Sequence, residues 1–310
     1  MYVDSRAHEL SPSADALGRP AGWRLWLSVI RPATLPAGAV PVVVGTAVAA
    51  GAGLWQPGVA VAALAVALSL QIASNLVNDA ADFVNGADDE RRIGPARAAQ
   101  RGWMTPRALW LGAGVALAVA VGLGAWLATI GGWPVVVVGL LAVVCAIAYT
   151  AGPAPLGYLG LGDILVFVFF GPVAVVGTAW LQLGRVEAAA VLASLPVGLL
   201  STAILVVNNL RDRHTDAEAG KRTFAVRFGE GATRRLYAAV VATAFLVPVV
   251  AVAVTVAPVG WLVSLGALPV AVPCLRALAK VDGPALNPWL GRTARLLLAH
   301  GALLALGSAL

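Results

Sequence analysis

Apolar runs long enough to cross a bilayer recur along the whole chain. A membrane-spanning helix needs about 20 mostly apolar residues. Nine stretches qualify: 33–53, 58–82, 108–130, 133–150, 161–181, 188–210, 236–256, 257–278 and 292–310. The seventh and eighth are nearly continuous, divided by Pro258 and Gly260. Of the 310 residues, 60 % are apolar and 12 % charged, against about 25 % charged in soluble domains. A soluble core of this length could not hide so much apolar surface, so lipid is the expected solvent. The expected fold is all-α, a polytopic membrane protein with about nine transmembrane helices. The 34 Gly and 19 Pro fit that class, because neighbouring helices re-satisfy backbone groups that Pro frees.

Charge placement orients the chain. With the N-terminus inside, Arg6, Arg19, Arg24 and Arg31 precede the first stretch, and Arg91, Arg92, Arg97, Arg101 and Arg107 follow the second. Arg211, Arg213, Lys221, Arg222, Arg227, Arg234 and Arg235 follow the sixth, and Arg276, Lys280, Arg292 and Arg295 flank the last connection. Only Arg185, of 21 basic residues, lies on the other side. The positive-inside rule makes the basic side cytoplasmic. The net charge of +6 is thereby mainly topological, and nucleic acid is not an expected partner. Residues 1–22 are polar, lack a signal peptide's apolar core, and read as a cytoplasmic tail before a single transmembrane domain over 23–310. The ten Trp fall mostly near expected helix ends, as interfacial anchors do. Cys145 and Cys274 lie in apolar runs, with no metal-ligand spacing and no disulfide framework.

Two long polar loops, about 83–107 and 211–235, are expected on the cytoplasmic side, and each opens with an acidic signature. The first is Asn78-Asp79-x-x-Asp82-x-x-x-Gly86; the second is Asn209-x-x-Asp212-x-x-x-Asp216-x-x-x-Gly220. Four helices separate them, so both point the same way, as in a weak parallel repeat sharing one site. On a continuing helix, Asp79 with Asp82 and Asp212 with Asp216 each lie on one face. Like charges at a helix C-terminus are disfavoured and need a cation. Mg²⁺ suits the position, since one or two carboxylates plus water and substrate phosphates usually hold it. Asp79, Asp82, Asp212 and Asp216 are therefore the expected metal ligands and catalytic acids. Asn75, Asn78 and Asn209 beside them, with Arg92, Arg97, Lys221 and Arg222, are the expected substrate contacts. Solvated helix ends would explain one isolated acid; two matched clusters at membrane depth point to function. His214 reads as a surface residue and His300 as structural.

The runs 75–88 and 208–223 resemble the two aspartate-rich motifs of the UbiA-type intramembrane prenyltransferases. The resemblance covers about residues 23–310. It implies nine helices around a central cavity, with Mg²⁺ and a prenyl diphosphate bound by the two motifs and an aromatic acceptor. One branch is most similar, the 1,4-dihydroxy-2-naphthoate polyprenyltransferases of menaquinone synthesis. It is resembled in Gly86-x-Asp88, Arg92-Ile93-Gly94-Pro95-x-Arg97, Gly220-Lys221-Arg222-Thr223, Arg227-Phe228-Gly229 and Arg31-Pro32-x-Thr34-Leu35-Pro36. The stretch Tyr149-Thr150-x-Gly152-Pro153-x-Pro155-Leu156-Gly157-Tyr158, ending at Asp163, also matches and adds Tyr149 to the substrate contacts. That stretch reads either as a turn-rich link or as a cap over the cavity, with Asp163 orienting a substrate or a basic residue. Where the wider superfamily has a third acid in the first motif, this chain has Gly86, with Asp88 nearby.

The implied activity is transfer of a polyprenyl chain from polyprenyl diphosphate to 1,4-dihydroxy-2-naphthoate, with loss of CO₂ and diphosphate, giving a demethylmenaquinone. The partners would be those two substrates and membrane lipid, with the active-site loops facing the cytoplasm. Lys221 and Arg97 are the candidate cations for the naphthoate carboxylate, with diphosphate as their competing ligand. Other readings are a different aromatic acceptor, such as 4-hydroxybenzoate or haem, or a Mg²⁺ or phosphate transporter.

Overall fold

The computed structural model describes residues 19–86, 93–94 and 97–310. Most of the expected tail over 1–22, together with Asp88, Arg91 and Arg92, lies outside the described residues. The helices are α1 (Trp23–Ile30), α2 (Leu35–Gly51), α3 (Pro57–Val84), α4 (Pro106–Gly131), α5 (Trp133–Ala148), α6 (Gly162–Val168), α7 (Gly177–Leu183), α8 (Ala188–Glu218), α9 (Phe224–Ala253), α10 (Leu268–Leu278) and α11 (Asn287–Ser308). Among the described residues there is no strand.

Proline marks where several of these helices begin. Pro36, Pro57, Pro106, Pro134 and Pro288 occupy the first turn, where a missing N–H costs nothing. Thr105 caps α4 and Thr223 caps α9, each accepting a backbone N–H three residues on. Between α6 and α7 the chain widens into a π-helix over Phe169–Val176 that contains Pro172. Pro172 cannot donate to the carbonyl four residues back, and the wider turn keeps α6, the π segment and α7 running as one apolar span.

All nine expected spans are helical. Seven are long and apolar enough to cross a membrane: Trp23–Gly51, Pro57–Val84, Pro106–Gly131, Gly162–Leu183, Ala188–Glu218, Phe224–Ala253 and Val259–Leu278. α5 is shorter, and α11 carries Arg292 and Arg295 and is less apolar. The protein is an integral, multi-pass membrane protein.

The expected polar loop over 211–235 is in fact mostly helical. α8 continues to Glu218 and α9 resumes at Phe224. Polarity ends the apolar run there but not the helix, because ion pairs within and beside α8 satisfy its charged side chains. Arg213 bonds Asp282 at 2.8 Å and Glu230 at 3.0 Å, and Arg234 bonds the same Glu230 at 2.9 Å. The hydrogen bond from Arg213 holds the Asp282 carboxyl below the usual carboxylate range.

α8 is the central helix. Two thirds of its apolar window is buried (67 %), against 17 % for α4. α4 and α5 instead present Leu111, Val115, Val119, Leu140 and Val144 outward, as lipid-facing helices do. α8 packs closely because small residues meet at its crossing with the π segment. A Cβ on Gly198 would lie 3.1 Å from the Gly171 Cα and 2.8 Å from the Phe167 carbonyl oxygen.

Candidate active site

The two acidic motifs end their helices in the same way. α3 carries Asp79 and Asp82 and is closed by Gly86 at φ 71°; α8 carries Asp212 and Asp216 and is closed by Gly220 at φ 75°. In each motif the second acid lies four residues before the glycine. The left-handed glycine turns the chain back over its own last turn, so the Lys221 N–H returns to the Asp216 carbonyl at 2.8 Å.

That turn delivers Lys221 to both motifs. Its Nζ lies 3.5 Å from Asp216 Oδ1 and 3.7 Å from Asp82 Oδ1, and 4.9 Å from the centre of the Tyr158 ring. Asp82 has two further partners. Arg97 Nη2 lies 3.3 Å from its Oδ2, and the Tyr158 hydroxyl donates to its Oδ1 at 3.0 Å. Asp82, Asp216 and Arg97 are all at least nine-tenths buried. In a site so shielded from water these interactions are much stronger than surface ion pairs.

The first acid of each motif is engaged locally. Asp79 accepts from the Ala98 N–H at 3.1 Å and from the Ala99 N–H at 3.2 Å. It thereby caps the turn that begins at Arg97 and aims that guanidinium at Asp82. Asp212 is held by Arg211, which donates from Nε at 2.7 Å and from Nη2 at 2.6 Å. Arg211 is only 2 % exposed and is saturated further by Asn287 Oδ1 at 3.0 Å and Asn208 Oδ1 at 2.8 Å. Asn287 also donates to the Ile93 carbonyl at 3.2 Å, so one side chain ties the second motif to the segment after the first.

The Tyr149–Asp163 stretch closes over this centre. The Arg222 N–H donates to the Tyr158 carbonyl at 2.8 Å, and Arg227 Nη2 donates to the Leu159 carbonyl at 2.7 Å. Thr150 Oγ1 donates to Asn78 Oδ1. Gly160, at φ 81°, lies so close to the second motif that a Cβ would sit 2.2 Å from the Arg222 carbonyl oxygen. Of the two readings open from sequence, these contacts with both motifs favour the cap. The Tyr149 phenol oxygen packs against Gly162, where a Cβ would sit 2.7 Å away.

The structure therefore brings together Asp82, Asp216, Arg97 and Lys221, with Asp79, Asp212 and Asn78 directly behind them, and leaves Tyr149 in the cap against Gly162. Other expected contacts point elsewhere. Asn75 donates to the Ile30 carbonyl at 2.8 Å and to Thr34 Oγ1 at 2.9 Å, pinning α3 to the α1–α2 junction. The Arg222 side chain is exposed, and its contact with the cap is made by its backbone. Asn209 is buried on α8 beside the second motif. Arg92 lies outside the described residues. His214 is exposed, and His300 is fully buried, edge-on to Phe245.

Three contributors escaped the sequence reading. Tyr158 was visible only as part of a resembling stretch, Arg211 only as one more cytoplasmic basic residue, and Asn287 not at all. Arg211 alone offered a signal: a basic residue immediately before a motif aspartate, with two asparagines just upstream.

The donor set suits a hard divalent cation. Carboxylates from two helices converge on one ammonium, so this is a place where the fold requires positive charge. Among the described residues no three Asp, Glu, His or Cys side chains form a metal-binding group. A cation here would be held by one or two carboxylates and completed by phosphate and water, as is usual for Mg²⁺.

The architecture is thus a bundle of apolar helices in which two acid-bearing helix ends face each other under a glycine-rich stretch. The UbiA prenyltransferase family profile matches residues 38–296, and the chain belongs to that family. It is 43 % identical to the 1,4-dihydroxy-2-naphthoate octaprenyltransferase of Mycobacterium tuberculosis over 226 residues, 72 % of this chain and 76 % of that protein. It is 39 % identical to the protein of the same name from Escherichia coli over 293 residues, 91 % and 94 % of the two chains. The fold is also that of a UbiA homolog from Archaeoglobus fulgidus solved bound to DMAPP and Mg²⁺, with a TM-score of 0.61 at 16 % identity over 90 % of this chain and 98 % of that one.

Proposed function

We propose that this protein transfers a polyprenyl chain from a polyprenyl diphosphate to 1,4-dihydroxy-2-naphthoate, releasing diphosphate and CO₂, in menaquinone synthesis. The observation that carries the chemistry is the convergence of Asp82 and Asp216, from two motifs 134 positions apart in the chain, on the single ammonium of Lys221. The choice of acceptor rests on the relatives, which carry the naphthoate prenyltransferase name at up to 43 % identity.

Asp82 and Asp216 would hold Mg²⁺, with lone pairs of Asp79 and Asp212 available beside them. The metal supplies charge neutralisation on the departing diphosphate. Lys221 and Arg97 already stand against Asp82, within reach of the same anion, and add charge-assisted hydrogen bonds to its oxygens. Both sit at the acid centre, which favours diphosphate over the naphthoate carboxylate as their principal ligand. Tyr158 and the turn capped by Asp79 fix Asp82 and Arg97, so little reorganisation is needed when charge develops. The cap shields the allylic centre from water. The prenyl tail leaves sideways between apolar helices into lipid. The acid centre faces the cytoplasm, in keeping with the distribution of basic residues.

The test is product analysis by mass spectrometry. Purified protein is supplied with octaprenyl diphosphate and either 1,4-dihydroxy-2-naphthoate or 4-hydroxybenzoate. Prenylated, decarboxylated naphthoate is expected, lost with EDTA and restored by Mg²⁺. Product from 4-hydroxybenzoate alone would replace the acceptor, and EDTA-insensitive turnover would refute the metal's role. Flux of Mg²⁺ or phosphate through liposomes without any product would make it a transporter.

A further inference from the structure

Asp163 is a carboxylate for which the acid centre has no use. It lies in the first turn of α6, and its Oδ1 is buried with no hydrogen-bond partner among the described residues. The motif acids, by contrast, each have a cation or a pair of N–H groups. An acceptor-only oxygen left bare beside hydrocarbon is costly, and ionisable groups at that depth are retained for function. Its backbone is fixed by packing: its carbonyl accepts from Thr202 Oγ1 at 3.4 Å. Gly162 beside it lies so close to Tyr149 that a Cβ there would sit 2.7 Å from the phenol oxygen.

Tyr149 relates this carboxylate to the reaction centre. Gly162 packs on its phenol oxygen, and the next residue, Thr150, donates to Asn78 beside Asp79 of the first motif. Asp163, one residue from that contact, therefore lies on the Tyr149 side of the site, at its edge.

We propose that Asp163 contacts the aromatic acceptor, its free oxygen accepting a hydrogen bond from the ring hydroxyl remote from the acceptor's carboxylate. The assignment rests on the naphthoate reading above. A carboxylate can only accept, so its partner is a hydroxyl and not the naphthoate's own carboxylate, which it repels toward the basic end. Of the two hydroxyls, the one at position 1 is adjacent to the carboxylate and bonds to it internally. The 4-hydroxyl has no such partner and is the free donor. The contact also draws the O–H dipole toward Asp163 and leaves the ring more electron-rich for attack on the allylic carbon. Asp163 thus selects acceptors carrying a second hydroxyl, since a site built to bond a hydroxyl discriminates strongly against an analogue lacking it.

The test compares wild type, Asp163→Ala and Asp163→Asn, with 1-hydroxy-2-naphthoate as an inhibitor lacking the 4-hydroxyl. For Asp163→Ala the KM for 1,4-dihydroxy-2-naphthoate should rise about 10- to 100-fold, the worth of a hydrogen bond to a charged group. The inhibition constant of 1-hydroxy-2-naphthoate and the KM for prenyl diphosphate should stay within about twofold. Asp163→Asn, which is nearly isosteric and keeps an acceptor, should fall between. A parallel rise in KM and inhibition constant, or no change in either variant, would overturn the assignment. If Asp163→Ala does not fold, Asp163→Asn decides alone by the same ratio. Wild type that fails to prenylate the naphthoate would instead overturn the function on which this rests.

Discussion

Lys221 Nζ stands 3.7 Å from Asp82 Oδ1, although the two residues belong to different halves of the chain. The same ammonium reaches Asp216 at 3.5 Å, so one side chain joins the two acidic motifs. Lys221→Met should take from Asp216 the ammonium that faces it and leave Asp82 to Arg97. The expected result is a fall of about 10- to 100-fold in kcat/KM for prenyl diphosphate, from the loss of a charge-assisted contact. The KM for the naphthoate should change little. Steady-state kinetics with each substrate varied in turn checks this, and a change confined to the naphthoate KM would assign Lys221 to the acceptor instead.

Much of this centre could be read from sequence because its parts are local. Asp79, Asp82, Asp212 and Asp216 declare themselves by spacing, and Gly86 and Gly220 by standing four residues after the second acid of each motif. The apolar runs correspond to helices for the same reason, since bilayer thickness acts on consecutive residues, and seven of these helices are long and apolar enough to cross. What stayed hidden depends on tertiary contact. Charge alone placed Arg211 on the cytoplasmic side, but its burial against Asn287 joins residues 76 positions apart. The stretch 211–218 reads as loop from its polarity alone, which does not show the ion pairs that satisfy it within the helix. Asn75 shares the first motif's sequence signature, yet its amide faces the α1–α2 junction.

Arg211 is expected to matter for folding as much as for chemistry. Its guanidinium makes a two-point bond to Asp212 and one bond each to Asn287 and Asn208. Removing one partner of a buried pair leaves an uncompensated charge and costs about 3–5 kcal/mol. Arg211→Ala should therefore lower the melting temperature in detergent markedly. Asn287→Ala, which removes one hydrogen bond to a charged group and one to the Ile93 carbonyl, should cost about 2–4 kcal/mol. Thermal unfolding of both variants beside wild type gives the ranking, and an unaltered Arg211→Ala would show that the pair contributes nothing net.

The membrane orientation can be tested at two exposed sites on opposite ends of the bundle. Glu218 closes α8 on the side of the acid centre, and Arg185 lies beyond α7 at the other end. In a background with Cys145 and Cys274 replaced by Ala, a cysteine at 185 should react with an impermeant maleimide added to intact cells. A cysteine at 218 should react only after the cells are opened. Labelling of position 218 from outside would invert the topology.

The docking of the cap should be the most sensitive feature of the site, and two glycines separate its strain from its contacts. Gly152 and Gly160 both lie on the cap with left-handed backbones, at φ 99° and 81°. An alanine at either pays a similar conformational cost of about 1–2 kcal/mol. Their surroundings differ. Nothing lies within 4 Å of a Cβ at Gly152, whereas a Cβ at Gly160 would fall 2.2 Å from the Arg222 carbonyl oxygen. Gly160→Ala must therefore push the cap off the second motif and strain the bond from the Arg222 N–H to the Tyr158 carbonyl. Tyr158 in turn holds Asp82, so the displacement reaches the acid centre. Gly160→Ala should lower kcat/KM at least about tenfold, while Gly152→Ala loses some thermal stability and keeps most of its activity. Equal activities in the two variants would mean that contact between cap and second motif is not needed for turnover, and that Tyr158 holds Asp82 without help from Arg222.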